Sequence, residues 1–192
     1  MASRARKWWV LLRNPDATIR FAEGTYLGPG FSLHMPFGGT FEAGPGAHFR
    51  RNFRGEFLGP QSRLAIGAHS VCTYDVLIQC GTTIEIGERC VVAASTLIVD
   101  GSHRFRDLDR PMLEQGYDFR PIRIDDDAAI MAKCTVIADI GTHAFIGANA
   151  VVSRPIPPYS LAAGVPARVI DYFGPRESAP EQPSPSTSER PG

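Results

Sequence analysis

The sequence predicts an all-β solenoid, a chain of short strands and corners wound into stacked coils. Three observations predict it. First, from Ile66 an aliphatic-type residue recurs every six positions: Ile66, Cys72, Ile78 and Ile84, then Ile86, Val92 and Ile98 after a shift of two. Ile124, Ile130 and Val136 resume the period, and Ile140, Ile146 and Val152 close it. Second, a small or acidic residue often follows, as in Ile66-Gly67, Ile84-Glu85 and Ile146-Gly147. Third, four residues past the aliphatic sits another small one, as at Ser70, Thr96, Cys134 and Ala150. A period of six matches neither a helix nor a simple half-buried strand. It matches a strand, a corner and another strand, with one apolar side chain per face pointing inward. Stacking such coils buries a core that one coil could not bury alone.

The elements follow in order. Residues 1–17 read as a short amphipathic segment that ends at Asn14-Pro15 and caps the open end of the solenoid, where strand edges must be covered. Residues 18–172 form the solenoid domain. Its opening, 18–65, is irregular and rich in Phe and Gly, which suggests wide or irregular coils. Arg50, Arg51 and Arg54 cluster there; they read as a solvated face, with a place beside a phosphate-bearing ligand as the alternative. Residues 66–100 are regular coils. From Gly101 to Pro121 the period stops and a charged excursion protrudes. A loop of that length is usually functional or disordered, and Phe105, Tyr117, Phe119 and the Arg110-Pro111 turn argue against disorder. Residues 122–153 return to coils, and a Pro-rich corner with Gly164-Val165-Pro166-Ala167 follows. Residues 173–192, dominated by Pro, Ser, Glu and Thr, read as a disordered tail.

The chain has 192 residues, enough for one domain with a sizeable core. Its formal net charge is zero, so bulk electrostatics favours neither nucleic acid nor an anionic membrane. Nineteen Gly and 16 Pro suit a chain made mostly of corners. Four Cys lack the paired spacing of a metal site and read as buried reduced thiols, in keeping with a cytoplasmic setting. The basic, Trp-bearing N-terminus has an apolar run of only five residues, Trp8 to Leu12, too short for export or for stable membrane insertion. Contact with a membrane surface is its alternative reading.

The coils, an Asp100-x-x-His103 ending a coil just before the protruding loop, and the closing Gly164-x-Pro-Ala167 together resemble the hexapeptide-repeat acyltransferases, which include galactoside and maltose O-acetyltransferases. The resemblance covers about residues 60–172. It implies a left-handed parallel β-helix of triangular cross-section and a homotrimer with active sites between subunits. It also implies an acyl-coenzyme A donor, usually acetyl-CoA, and a small acceptor such as a sugar or a sugar-containing metabolite.

Acyl transfer to a hydroxyl or amine needs the acceptor's proton removed as it attacks, and imidazole suits that role. By position the resemblance makes His103 the general base, with Asp100 orienting its ring. It places Ala132 and Ala148 beside the pantetheine arm, Ser153 and Arg154 near the adenine and phosphate end, and Arg168 as a further phosphate contact. His69 and His143 share one repeat slot and read as scaffold. Two other classes compete. One is a non-catalytic scaffold. The other is a hydratase like the γ-class carbonic anhydrases, whose three-His zinc site a loop with one histidine does not supply, so no metal is expected. Relatives that acetylate sugars often carry a Trp where this chain has Ala128-Ala129-Ile130.

Overall fold

The computed structural model describes residues 2–175. After an N-terminal helix, α1 (Ser3–Arg13), the chain visits three parallel sheets in rotation. The first sheet holds Ala17–Phe21, Gly39–Ala43, Arg63–Ile66, Thr83–Ile86 and Ile122–Ile124, extended by bridges at Ile140 and Ile156. The second begins with Tyr26–Leu27 and runs through His48–Phe49, Val71–Cys72 and Val91–Val92 to Ser160–Ala163. The third runs from Ser32–His34 through Arg54–Phe57, Leu77–Cys80 and Leu97–Val99 to Val151–Val152. Each strand pairs in parallel with its counterpart one coil earlier, an arrangement that fits a parallel β-helix with three faces.

All thirteen period-six residues point inward, each exposed by 3% or less. The four thiols are free and buried among them. Strands read half-buried then buried in alternation, as at Thr83–Ile86, because successive side chains leave opposite faces. The opening coils obey the same rule with larger residues. Phe31, Phe41, Phe49 and Phe53 form the core there, with the Phe49 and Phe53 rings 4.7 Å apart at 67°. Those coils are also longer. Tyr26 pairs with His48 and His48 with Val71, whereas Ala129 pairs with Phe145 and Phe145 with Leu161. A ring filling more interior needs a longer perimeter.

The corners between the second and third sheets are tight turns whose last residue takes positive φ: Gly30, Asn52, Asp75, Ser95, Lys133 and Asn149. Each of the last five donates its N–H to the carbonyl of the residue preceding its counterpart one coil earlier, as in Asn52 to Pro29 (2.8 Å) and Asn149 to Ala132 (2.9 Å). Pro29, Arg51, Tyr74, Ala94, Ala132 and Ala148 therefore fill one slot, stacked coil on coil along a single edge. Coils stack at the parallel-strand spacing of roughly 4.8 Å.

Both ends of the second sheet are occupied. At the first, Ser3 Oγ accepts from Leu27 N–H (2.9 Å) and Arg6 Nε donates to Leu27 C=O (2.7 Å), so α1 satisfies an edge strand. The helix stops where Asn14 caps the Val10 carbonyl and Pro15 follows. No helix among the described residues is long and apolar enough to cross a membrane. At the other end Arg168–Tyr172 turns back antiparallel onto Ser160–Ala163. Phe173 donates its N–H to Tyr159 C=O (2.9 Å), and the expected tail lies outside the described residues from position 176.

Candidate functional site

The interruption at 101–121 is a β-hairpin on the edge between the third and first sheets. Gly101–His103 pairs antiparallel with Tyr117–Phe119, so His103 faces Tyr117 and Gly101 faces Phe119. The tip is tied internally. Gln115 accepts from Asp107 N–H (3.1 Å) and donates to the Asp107 and Arg110 carbonyls (both 2.8 Å). Arg104 pairs with Asp118 at 2.6 Å.

A stack of rings joins the hairpin to the coil. The Phe119 ring lies against Gly81 and Gly101. A Cβ on Gly81 would fall 1.9 Å from its ring, and one on Gly101 2.4 Å. Tyr117 stacks on Phe119 with centroids 5.5 Å apart at 11°, and the His103 ring lies 4.2 Å from Tyr117 at 38°. Glycine at 81 and 101 is therefore what lets Phe119 seat and carry the next two rings. His103 is half-buried, and its Nδ1 is fully enclosed with no hydrogen-bond partner among the described residues. A buried polar atom left without a partner costs on the order of 1–3 kcal/mol.

Asp100 does not orient that ring, contrary to the expectation from sequence. Its side chain points inward, 4% exposed, and its two oxygens accept from Gly81 N–H (2.7 Å) and Thr82 N–H (2.8 Å). Burial pushes its carboxyl above the usual range, and those two N–H groups oppose the shift. Three residues apart is neighbouring on a helix but roughly 10 Å apart along an extended strand. Asp100 instead staples the base of the hairpin to the preceding coil. Beside it burial raises the Cys80 thiol to about 12, with the Asp100 charge adding to the shift.

The remaining expected positions divide between two edges. Ala132 and Ala148 lie on the edge between the second and third sheets, in line with Ala94. Ser153 and Arg154, both exposed, follow Val151–Val152 and lie on the hairpin's own edge, two coils beyond it. Arg168 is exposed at the start of the closing strand and donates to the Ala167 carbonyl at 2.9 Å. His69 and His143 occupy positive-φ corners on the third edge (φ 58° and 55°). Among the described residues no three His, Cys, Asp or Glu side chains gather as metal ligands. Sequence reasoning missed the positioning by Tyr117, Phe119 and Gly81. Their signal was present in the glycine that follows Cys80 and in two aromatics spaced by two on one hairpin strand.

No family model matches the chain. Over 171 residues it is 32% identical to a probable acetyltransferase of Mycobacterium tuberculosis, covering 85% of this chain and 56% of that protein. It is 31% identical to the galactoside O-acetyltransferase of Escherichia coli over 119 residues, 60% of this chain and 57% of the relative. The chain thus spans little more than half the length of these curated relatives. Its fold matches a hexapeptide-repeat acetyltransferase of Vibrio cholerae solved with acetyl coenzyme A, with a TM-score of 0.58, 23% identity, and coverage of 90% of this chain and 79% of that one. In sequence the chain is thus similar to acetyltransferases, and in fold to a hexapeptide-repeat acetyltransferase.

Proposed function

We propose that the protein moves an acyl group, acetyl in the simplest case, from coenzyme A to a hydroxyl or amine of a small acceptor, and that His103 is the general base. The observation that carries this reading is the His103 ring, seated at the base of the hairpin by a stack of two aromatics, with one nitrogen enclosed and unpartnered. The acetyltransferase relatives support it. The imidazole takes the acceptor's proton as its oxygen or nitrogen attacks the thioester carbonyl. The coenzyme A sulfur leaves and recovers that proton from the imidazolium, so the base is regenerated. Backbone N–H groups of the groove meet the developing oxyanion.

The donor arm runs along the alanine edge, past Ala148 and Ala132 toward Ala94. Small corners there let backbone groups approach the ligand closely. His103 and Ala94 belong to the same coil but to different edges, as do Arg154 and Ala148. The two sets lie on different edges of one chain, which supports a site shared between copies, with the alanine edge of one subunit facing the hairpin edge of the next. A left-handed winding and a homotrimer complete the proposal, with Ser153, Arg154 and Arg168 toward the nucleotide end of coenzyme A and a sugar-type acceptor at the other. Replacement His103→Ala tests it. The variant is expected to fold and to retain coenzyme A binding by calorimetry while losing about 10²- to 10⁴-fold in turnover. Near-full turnover would remove His103 from the mechanism.

A further inference from the structure

Toward the N-terminal coils the alanine edge changes character. The slot that holds Ala94, Ala132 and Ala148 holds Tyr74 and Arg51 in the two preceding coils. Around them opens a groove of about 520 Å³ walled by Tyr26, Pro29, His48, Arg50, Arg51 and Tyr74. That volume lies within the range of sites for small organic ligands.

The two guanidiniums share one aromatic ring, with Arg50 5.6 Å and Arg51 6.0 Å from the Tyr74 centroid. Among the described residues neither forms an ion pair, a state they share with other exposed arginines such as Arg154 and Arg168; what sets them apart is the common aromatic ring. Asp75, next to Tyr74, accepts instead from Asn52 Nδ2 at 2.8 Å. A phosphate in the groove would supply the counter-charge that no carboxylate supplies to either. Paired guanidiniums also match phosphate oxygens in geometry as well as charge. On the other wall Tyr26 and His48 form a ring pair, 4.5 Å apart at 46°. Burial and the Arg50 charge hold His48 below its ordinary pKa, so at neutral pH it presents an uncharged flat surface.

We infer that this groove binds a nucleoside diphosphate group, its phosphates at Arg50 and Arg51 and its base against Tyr26 and His48. Aromatic faces bind bases by stacking with little sequence preference, and the cations supply the affinity for the diphosphate. Because the groove continues the edge proposed for the donor arm, its ligand would be the acceptor, a nucleotide-linked sugar. That last step rests on the acyl-transfer reading; nucleotide binding does not.

The test is calorimetric titration of the full chain, without coenzyme A, using UDP, dTDP, ADP, uridine and inorganic pyrophosphate. At least one nucleoside diphosphate is expected to bind, uridine at least 10-fold more weakly. The double variant Arg50→Ala/Arg51→Ala is expected to lose at least 10-fold in that affinity at unchanged Tm. Tyr26→Ala is expected to weaken nucleotide binding but not pyrophosphate binding. Absence of binding by every diphosphate, or affinity untouched by the double Arg variant, overturns the inference. So does weakening by Arg154→Ala with full competition from coenzyme A, which would assign the site to the donor. In a turnover assay with nucleotide-linked amino or hydroxy sugars, the double variant is expected to raise KM and spare kcat, while His103→Ala lowers kcat. Diphosphate binding without turnover of any such sugar would identify the ligand as a free nucleotide and overturn the acceptor step while leaving the binding site intact.

Discussion

Replacing Phe119 by Ala removes the ring on which the hairpin sits. Phe119 is 36% exposed, so about two thirds of its surface is covered, chiefly by the Gly81 and Gly101 backbone and by Tyr117. Full burial of a Phe side chain is worth about 1.5–3 kcal/mol, which scales here to about 1–2. The parallel stack with Tyr117 adds about 0.5–1.5 kcal/mol. The sum, about 1.5–3.5 kcal/mol, acts on the docked hairpin rather than on the whole coil, whose core Phe119 does not enter. At tenfold per 1.4 kcal/mol, hairpin opening rises roughly 10- to 300-fold. Amide hydrogen exchange measures this directly. The amides of Gly101–His103 and Tyr117–Phe119 are expected to lose protection by that factor, while Ile78 and Ile98 keep theirs. The variant Gly81→Ala gives an independent route to the same state. Gly81 does not have positive φ, and the atoms nearest an added Cβ all belong to the Phe119 ring, so the ring must leave. The two substitutions therefore act on one contact, and in the double variant their effects are not expected to add. Unchanged hairpin protection in either single variant, or simple additivity, would refute the ring stack as what holds His103. In a turnover assay both single variants are expected to lower kcat at least tenfold without weakening coenzyme A binding, since a displacement of about 1 Å costs on the order of 10²-fold.

Three further outcomes follow from the fold and its site. On the first sheet Arg20, Glu42, Arg63 and Glu85 form a charged ladder across four coils. Arg63, with help from Arg20, holds the Glu42 carboxyl below its ordinary value of 4.5. A depressed carboxylate adds stability that is present above about pH 5 and lost as pH falls through the folded-state value. Wild type is thus expected to exceed Glu42→Gln by on the order of 1 kcal/mol at pH 7, with the gap closing in acid, by thermal melts across pH. The four thiols are expected to resist Ellman's reagent in the native state and to react fully in denaturant, because burial raises Cys90 to about 11 and Cys80 to about 12. Asp100→Ala strips the acceptors from the Gly81 and Thr82 N–H groups and is expected to cost about 1–3 kcal/mol in unfolding free energy, with the greatest loss of exchange protection at those two amides.

What the sequence made legible and what it concealed have one physical origin. An inward-facing aliphatic must recur once per face of the coil, so the period exposes the core from Ile66 to Val152 without any knowledge of loops or partners. In the opening coils Phe replaces Ile, the perimeter grows, and the period blurs although the architecture continues, which is why the cluster of Arg50, Arg51 and Arg54 was legible but the groove that Tyr74 and Tyr26 build around it was not. The Asp100–His103 pairing failed because spacing was read without the local conformation: on strand geometry Asp100 turns into the wall while His103 leaves along the hairpin. The division of the positions expected to hold the cofactor is legible in the sequence. About six residues advance the chain by one face, so Ala148 and Arg154 must fall on neighbouring edges, whereas Ala132 and Ala148, sixteen apart, must stack on one. The same arithmetic puts Ala94 on the coil of His103 but one edge away, which is the observation behind the proposal of a site shared between copies.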